Sequence, residues 1–368
     1  LTTTNHICSD FEHPKRALVI RAGRLGDTVW GTTVIEPIRA FFGEQTRIDI
    51  IVKRGMRALF EQDPRIETIF EINHRSIPLL FSPTKLSVLR KSLQHPYDLV
   101  VNLETSSHFA SLMRHIRASR KICAGNLPPP KAPFDDIQHN VNFFRYTLSQ
   151  YLPAGLCQVA TPSLRFTEHI DIAALIGNTH EYLCLHPGNS MVARGKPALR
   201  SWPESHWREL IEQIGQHLPA LQIVLIGEKS EQALSEAVSV NFPGVINLVG
   251  RTSLQQLMAV LAHSRALVTT DTGPAHVAAA LATPVIAIFG PSDALNTGPF
   301  ACTDGWAVAV MKNIECNPCV DADRAKTCTN NKCMHTISPS DVIKLLDDSL
   351  LKRPAAPIIQ LDNSCQAE

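Results

Sequence analysis

Apolar and polar positions alternate between two kinds of run along this chain. Residues 16–21, Arg-Ala-Leu-Val-Ile-Arg, form a short apolar run that predicts a buried strand. A glycine-containing turn follows, and then an amphipathic stretch from Thr28 to Phe42 with helical spacing. Residues 47–52 predict a second strand, Met56–Gln62 a helix, Glu67–Phe70 a short strand and 98–103 another strand. A basic helix is expected from Ser107 to Arg120, and the proline-rich stretch 127–133 reads as a loop. Residues 153–179 are mixed in character and read as a linker with its flanks. The pattern then restarts. Strands are expected at 182–185, 221–227, 266–271 and 284–289, and helices at 204–217, 231–240, 254–262 and 274–281. An amphipathic helix at 338–352 opens with Ser338 as N-cap before Pro339, and the tail from Arg353 reads as disordered.

Strands alternating with helices predict an α/β fold with parallel, doubly wound sheets. Two such runs in 368 residues give two domains, at about 150 residues each. In open sheets of this kind ligands sit at the carboxyl ends of strands, so chemistry is sought in the turns that follow them.

Composition narrows the function. With 44% hydrophobic and 19% charged residues, both halves can bury a core, which excludes disorder as the main state. The net charge of +1 argues against a general nucleic-acid binder. No apolar run has the length of a membrane span, and Leu1–Pro14 holds no apolar signal core, so a soluble, cytoplasmic protein is expected. The charge is uneven. Residues 1–150 hold 20 Lys and Arg against 14 Asp and Glu, a net +6, and the remainder is net −5. Such asymmetry suits an anionic ligand on the first half, and it also suits plain solvation.

Three turns carry candidate chemistry. Gly23-Arg24-Leu25-Gly26-Asp27 follows the first strand and puts a carboxylate at a helix N-terminus, where it can serve as a base or as a cap. It is not a dinucleotide fingerprint. His186-Pro-Gly188 ends the strand at 182–185, and Arg200-Ser-Trp202-Pro203 lies downstream, with Arg194 and Lys196 between them. Cations near a glycine turn suit a diphosphate, and Trp202 can equally be packing on its domain. Asp271-Thr272-Gly273 opens a helix that carries His276, an anion site by geometry and dipole, or an ordinary capped turn.

Ten cysteines include one cluster, Cys316, Cys319, Cys328 and Cys333, in the pattern C-x2-C-x8-C-x4-C. This spacing suits tetrahedral thiolate binding of zinc or iron, and it also suits reduced thiols closing a small subdomain. The cluster is expected to be structural, not catalytic. Cys184 lies in an apolar run and is expected in a core.

Taken together, Gly23–Asp27, His186-Pro-Gly188, Arg200-x-Trp-Pro203, Asp271-Thr-Gly-Pro-Ala-His276 and Phe289-Gly-Pro-Ser-Asp293 resemble glycosyltransferase family 9, the ADP-heptose:lipopolysaccharide heptosyltransferases. The resemblance runs from about Arg16 to Leu346 in the same motif order. It implies two Rossmann-like domains facing across a cleft, a GT-B type glycosyltransferase fold. The acceptor domain would be 14–165, the nucleotide-sugar domain 178–335, and residues 336–352 a helix crossing back to the first domain. It implies inverting transfer without a metal cofactor. Asp27 would be the base, with Gly23, Arg24 and Gly26 forming the acceptor-side loop. Arg200, Glu231, Asp271, Thr272, Gly273 and His276 would bind the donor, with Glu228 an alternative to Glu231 at the ribose. Arg24, Arg54, Arg57, Arg114, Arg117 and Arg120 are candidates to hold an anionic lipopolysaccharide core. In a branch that modifies autotransporter proteins a comparable cysteine region holds iron, so zinc or iron at the cluster and a protein acceptor remain alternatives. So does a sugar-nucleotide binder without turnover. The family places the protein in the cytoplasm, with at most peripheral membrane contact.

Overall fold

The computed structural model describes residues 14–166, 170–177, 181–189, 199–319, 325, 327–350 and 358–361. The chain divides into two compact units, Leu1–Thr167 and Glu168–Glu368.

The first unit runs β1 (Arg16–Ile20), α1 (Leu25–Gly31), α2 (Ile35–Phe42), β2 (Arg47–Lys53), β3 (Ile66–Ile72), α3 (Pro83–Gln94), β4 (Tyr97–Asn102), α4 (Ala110–His115), β5 (Ala118–Cys123), α5 (Asn140–Ser149) and α6 (Ala154–Gln158). Its five strands lie in the order β3-β2-β1-β4-β5, all parallel. β1 is central, with Val19 between Ile50 and Val101. Ala17–Ile20 are fully buried because both faces of a parallel sheet are covered, which is why this strand reads as an unbroken apolar run. Leu18, Ile20, Ile51, Val100, Phe109 and Leu112 share one core cluster. One carboxylate, Asp49, is buried in β2, where Arg16, Lys91 and the Tyr97 hydroxyl surround it.

Two expectations change here. The basic helix is helical only over Ala110–His115, and Ala118–Cys123 is the edge strand β5. Ile116 turns extended and buries, which ends the helix. The Met56–Gln62 helix is a single 3-10 turn, Arg57–Leu59.

The second unit runs α7 (Ala173–Ile176), β6 (Tyr182–His186), α8 (Glu204–His217), β7 (Gln222–Leu225), α9 (Gln232–Ser239), β8 (Ile246–Asn247), α10 (Leu254–Ala262), β9 (Leu267–Thr270), α11 (Gly273–Ala280), β10 (Val285–Ile288), α12 (Ala294–Thr297), β11 (Ala307–Lys312), α13 (Lys332–His335), α14 (Pro339–Leu350) and β12 (Ile358–Leu361). Seven parallel strands lie in the order β12-β11-β10-β9-β6-β7-β8. Cys184 is fully buried in β6, and burial pushes its thiol up to about 12.

Ser338 caps α14 as expected. Its hydroxyl accepts the Asp341 N–H at 3.1 Å, and Asp341 returns the bond to the Ser338 N–H at 3.0 Å. The resemblance sends this helix toward the first domain. Its described side chains Val342, Ile343, Leu345 and Leu346 lie in the second unit's own core, and the helix packs on α8. The tail holds more structure than its composition suggests, since Ile358–Leu361 pairs in parallel with β11.

Candidate active site

The first unit presents Asp27 where β1 ends. Arg24 is the N-cap of α1, so Asp27 is the third residue of the helix and not its cap. One carboxylate oxygen accepts the Arg24 N–H at 3.0 Å. The other accepts Arg21 Nη2 at 2.8 Å. A third of the side chain remains exposed. Gly23 is required by this geometry, since a Cβ there would lie 2.3 Å from the Asp27 Cβ. Gly26 sits in the same first turn, and Arg24 points to solvent.

Arg21 is itself held. Its guanidinium reaches the Asp27 and Leu103 carbonyls and lies 3.5 Å from Glu104 Oε1. Its guanidinium carbon sits 5.1 Å above the centre of the Phe144 ring. Glu104, buried just past β4, also accepts the Ala22 N–H at 3.0 Å and Arg75 Nη1 at 3.0 Å. Two cations and two carboxylates thus alternate, Arg75–Glu104–Arg21–Asp27. Each charged group has an opposite neighbour, and Asp27, at the open end, keeps lone pairs for a further donor. Sequence reasoning found Asp27 but missed Arg21, Glu104 and Arg75. The available signal was a charged residue closing an apolar strand at Arg21 and a carboxylate directly after β4 at Glu104.

Of the candidate acceptor cations, Arg57 is bound to Glu71 and the Ile69 carbonyl. Arg54 lies beside Asn73, and Arg120 sits over the Tyr151 ring. Arg114 and Arg117 are exposed.

The second unit gathers its candidates around a histidine that the sequence motif contained but that was given no role. His186, buried at the end of β6, faces Thr269 Oγ1 at 3.1 Å and Thr272 Oγ1 at 3.0 Å through Nδ1. Its Nε2 lies 3.2 Å from Glu231 Oε2. A carboxylate only accepts, so Nε2 carries a proton toward Glu231, and the two threonine hydroxyls line Nδ1. Burial pushes the Glu231 carboxyl up. Its bond to His186, the charge of His186 and the Glu228 N–H at 2.7 Å outweigh that and hold it below the ordinary carboxylate range. Glu228 contributes its backbone here. A Cβ at Gly188 would meet Glu231 Cδ at 2.3 Å, so the glycine of His186-Pro-Gly188 makes room for this carboxylate.

Thr272 is the N-cap of α11, with Gly273 first and Pro274 second in the helix. Its hydroxyl turns inward to His186 and Thr269. His276 is buried in the first turn. Asp271, just before, pairs with Arg200 Nη1 at 2.9 Å. Burial raises the Asp271 carboxyl above its usual range, against the pull of Arg200 and of the Ser292 hydroxyl. Arg200 is placed by its neighbour Trp202. That indole is buried, donates to the Ile337 carbonyl at 2.9 Å and meets Trp207 edge-on at 5.0 Å. Trp202 is therefore the packing residue that fixes a cation. Arg194 and Lys196 lie outside the described residues.

The cysteine segment braces the same end of the sheet. The Cys319 N–H donates to the Pro291 carbonyl at 2.8 Å. A Cβ at Gly290 would strike Met334 Sδ at 2.3 Å. Cys319 and Cys333 are buried, while Cys316 and Cys328 are exposed. Burial and the neighbouring Cys319, Cys316 and Cys328 push the Cys333 thiol up to about 11. Among the described residues no three His, Cys, Asp or Glu side chains gather as a metal ion requires.

The family model of glycosyltransferase family 9 (heptosyltransferase) matches residues 86–330. The chain belongs to glycosyltransferase family 9. It is 24% identical over 311 residues to lipooligosaccharide heptosyltransferase 2 of Haemophilus ducreyi, covering 78% of this chain and 86% of that one. A family 9 glycosyltransferase from Veillonella parvula superposes with a TM-score of 0.70 at 18% identity, over 92% of this chain and 97% of the other. The E. coli heptosyltransferase WaaC with ADP superposes at 0.66 and 19% identity, over 91% and 99%. This family 9 member is accordingly a glycosyltransferase with two Rossmann-like α/β domains of the GT-B type. No helix among its described residues is long and apolar enough to cross a membrane.

Proposed function

We propose that this family 9 enzyme transfers a heptose from ADP-heptose to a hydroxyl of the lipopolysaccharide inner core, with inversion at the anomeric carbon. The observation that carries the reading is the preparation of Asp27. Its carboxylate is oriented by Arg21 and the Arg24 N–H and is still partly open. Family membership, a lipooligosaccharide heptosyltransferase among the relatives and a neighbour that holds ADP support the substrates.

Asp27 takes the proton of the acceptor hydroxyl as that oxygen attacks the anomeric carbon. The new carbon–oxygen bond forms on the face opposite the nucleotide. The bond from the anomeric carbon to the phosphate oxygen breaks, and its electron pair leaves with ADP. Arg200 and the amides that open α11 at Thr272 and Gly273 stabilise the charge growing on the diphosphate. Glu231, backed by His186, meets the ribose, and His276 lies along the same helix start. Gly23, Arg24 and Gly26 form the loop beside the acceptor hydroxyl. Exposed arginines of the first unit, Arg114 and Arg117 among them, hold the anionic core.

The test is ADP release with ADP-heptose and a heptose-deficient core acceptor, with UDP-sugars as control donors. Sugar transfer from ADP-heptose alone is the expected result. Binding of ADP-heptose without turnover on any core acceptor would replace this reading with that of a binding protein.

A further inference from the structure

Among the described residues four helices open on a serine or threonine, and three of them are capped by it. Ser82 accepts the Lys85 N–H ahead of α3, Ser253 accepts the Gln256 N–H at 3.2 Å ahead of α10, and Ser338 accepts the Asp341 N–H ahead of α14. Thr272 stands in the same place ahead of α11, with the extended backbone of a cap, yet its side chain gives the helix no bond. Its hydroxyl faces the other way. His186 Nδ1 lies 3.0 Å from it, Thr269 Oγ1 2.9 Å and the Thr270 carbonyl oxygen 3.3 Å.

His186 is itself fixed. Its ring is buried, Nδ1 also lies 3.1 Å from Thr269 Oγ1, and Nε2 is held 3.2 Å from Glu231 Oε2. That oxygen takes the Glu228 N–H as well, at 2.7 Å. A Cβ at Gly227 would come within 2.7 Å of the same oxygen and 3.4 Å of His186 Cδ2. The imidazole is thus gripped at both nitrogens, and it presents a fixed polar atom to the Thr272 hydroxyl on the inner side of the turn.

The consequence falls on the outer side. Pro274 has no N–H, so among the first three residues of α11 only Gly273 and Ala275 carry an amide donor. A threonine hydroxyl in the ordinary capping position would accept the Ala275 N–H and stand in front of the Gly273 amide. That is the place an anion must take at a helix start. We propose that His186, helped by Thr269, is a positioning residue that holds the Thr272 hydroxyl off its own helix, so that the start of α11 stays open to a diphosphate. The proposal rests on the reading of that helix start as the donor site, and it gives the histidine a part separate from its support of Glu231.

The experiment is calorimetric binding of ADP to the full chain, with each variant made in two backgrounds, the parent and Thr272→Val. His186→Gln keeps a donor within reach of Glu231 and withdraws the nitrogen that faces Thr272. It should weaken ADP binding by about fivefold or more, the scale of one N-cap bond, because the freed hydroxyl competes with the phosphate. In the Thr272→Val background no hydroxyl is left to compete, and His186→Gln should change the affinity by less than about twofold. Thr269→Val removes the other inward partner with little change of shape and should show the same dependence on Thr272→Val, so it decides the question if His186→Gln does not fold. A loss of equal size in the two backgrounds, or no loss in either, overturns the proposal and leaves the donor site standing. A parent that does not bind ADP overturns the donor reading and the proposal with it.

Discussion

The turn after β1 and the turn after β9 share a backbone plan and differ in how they handle charge. Each takes the chain from the carboxyl end of a central strand into a helix. After β1 the carboxylate stays in the open and cations reach it from the side, so Asp27 is partly exposed with Arg21 and the Arg24 N–H on its two oxygens. After β9 the carboxylate is driven inward. Asp271 is buried against Arg200, and what the turn offers outward is the start of α11. One turn is suited to accepting a proton and the other to holding an anion. The same strand-to-helix junction serves both tasks because the flanking side chains, not the backbone, set the sign of the field.

Asp27→Asn breaks the comparison most sharply. The substitution keeps the shape but loses the basic charge and one of the two accepted bonds. If the exposed carboxylate is the base, turnover falls by about a hundredfold or more, while ADP affinity measured by calorimetry stays near the parent's. Near-parental turnover in a stable Asp27→Asn protein would make the two turns alike, both merely helix starts.

Arg200→Ala tests the other side. Loss of a charge-assisted contact to the diphosphate should weaken ADP binding by about tenfold or more, and Arg200→Lys should recover part of it. Unchanged ADP affinity in the alanine variant would remove Arg200 from the donor site.

Gly188→Ala sharpens the comparison by asking whether the buried network behind α11 needs its space. The added methyl would overlap Glu231, which should cost about 1–3 kcal/mol of stability, read as a lower Tm. A Tm equal to the parent's would mean that Glu231 moves aside freely.

The smallest effect is in acid. Glu231 titrates below its unfolded value, so its contribution is complete above the ordinary glutamate range and is lost as pH falls through the folded value. Asp271 is shifted the other way, so its protonation on acidification favours the folded state. A Glu231→Gln protein should therefore lose less stability than the parent between about pH 5 and pH 3, spanning the ordinary carboxylate range. Parallel stability curves would show that the His186–Glu231 contact contributes nothing to folding.

Much of this architecture was legible because buried parallel strands announce themselves as unbroken apolar runs. That holds for β1, β4, β6, β9 and β10, and helical spacing marks the helices that follow β6 and β9. What escaped had no such run. In β5 the central residues Ser119, Arg120 and Lys121 are exposed, as an edge strand allows, so the segment looked like more of a basic helix. Asp27, Arg200 and Thr272 were legible because they sit in local motifs. Arg21 and Glu104 were not, since their meaning lies in a contact between residues 83 positions apart. His186 stood inside a recognised motif, but its link from Glu231 to Thr272 exists only once β6, β7 and β9 are side by side.

The pairing of Ile358–Leu361 with β11 bears on how the protein is made. Among the described residues the second sheet has seven strands, and the outermost is contributed by the last described segment of the chain. During synthesis β11 is complete some 45 residues before its partner, so its apolar residues 307–311 wait with one backbone edge unpaired while translation continues. A stop codon or protease cut ahead of Ile358 would make that temporary state permanent. It would leave a β-prone edge of the kind that recruits another chain, and the damage would appear as insoluble product from an otherwise intact catalytic sequence.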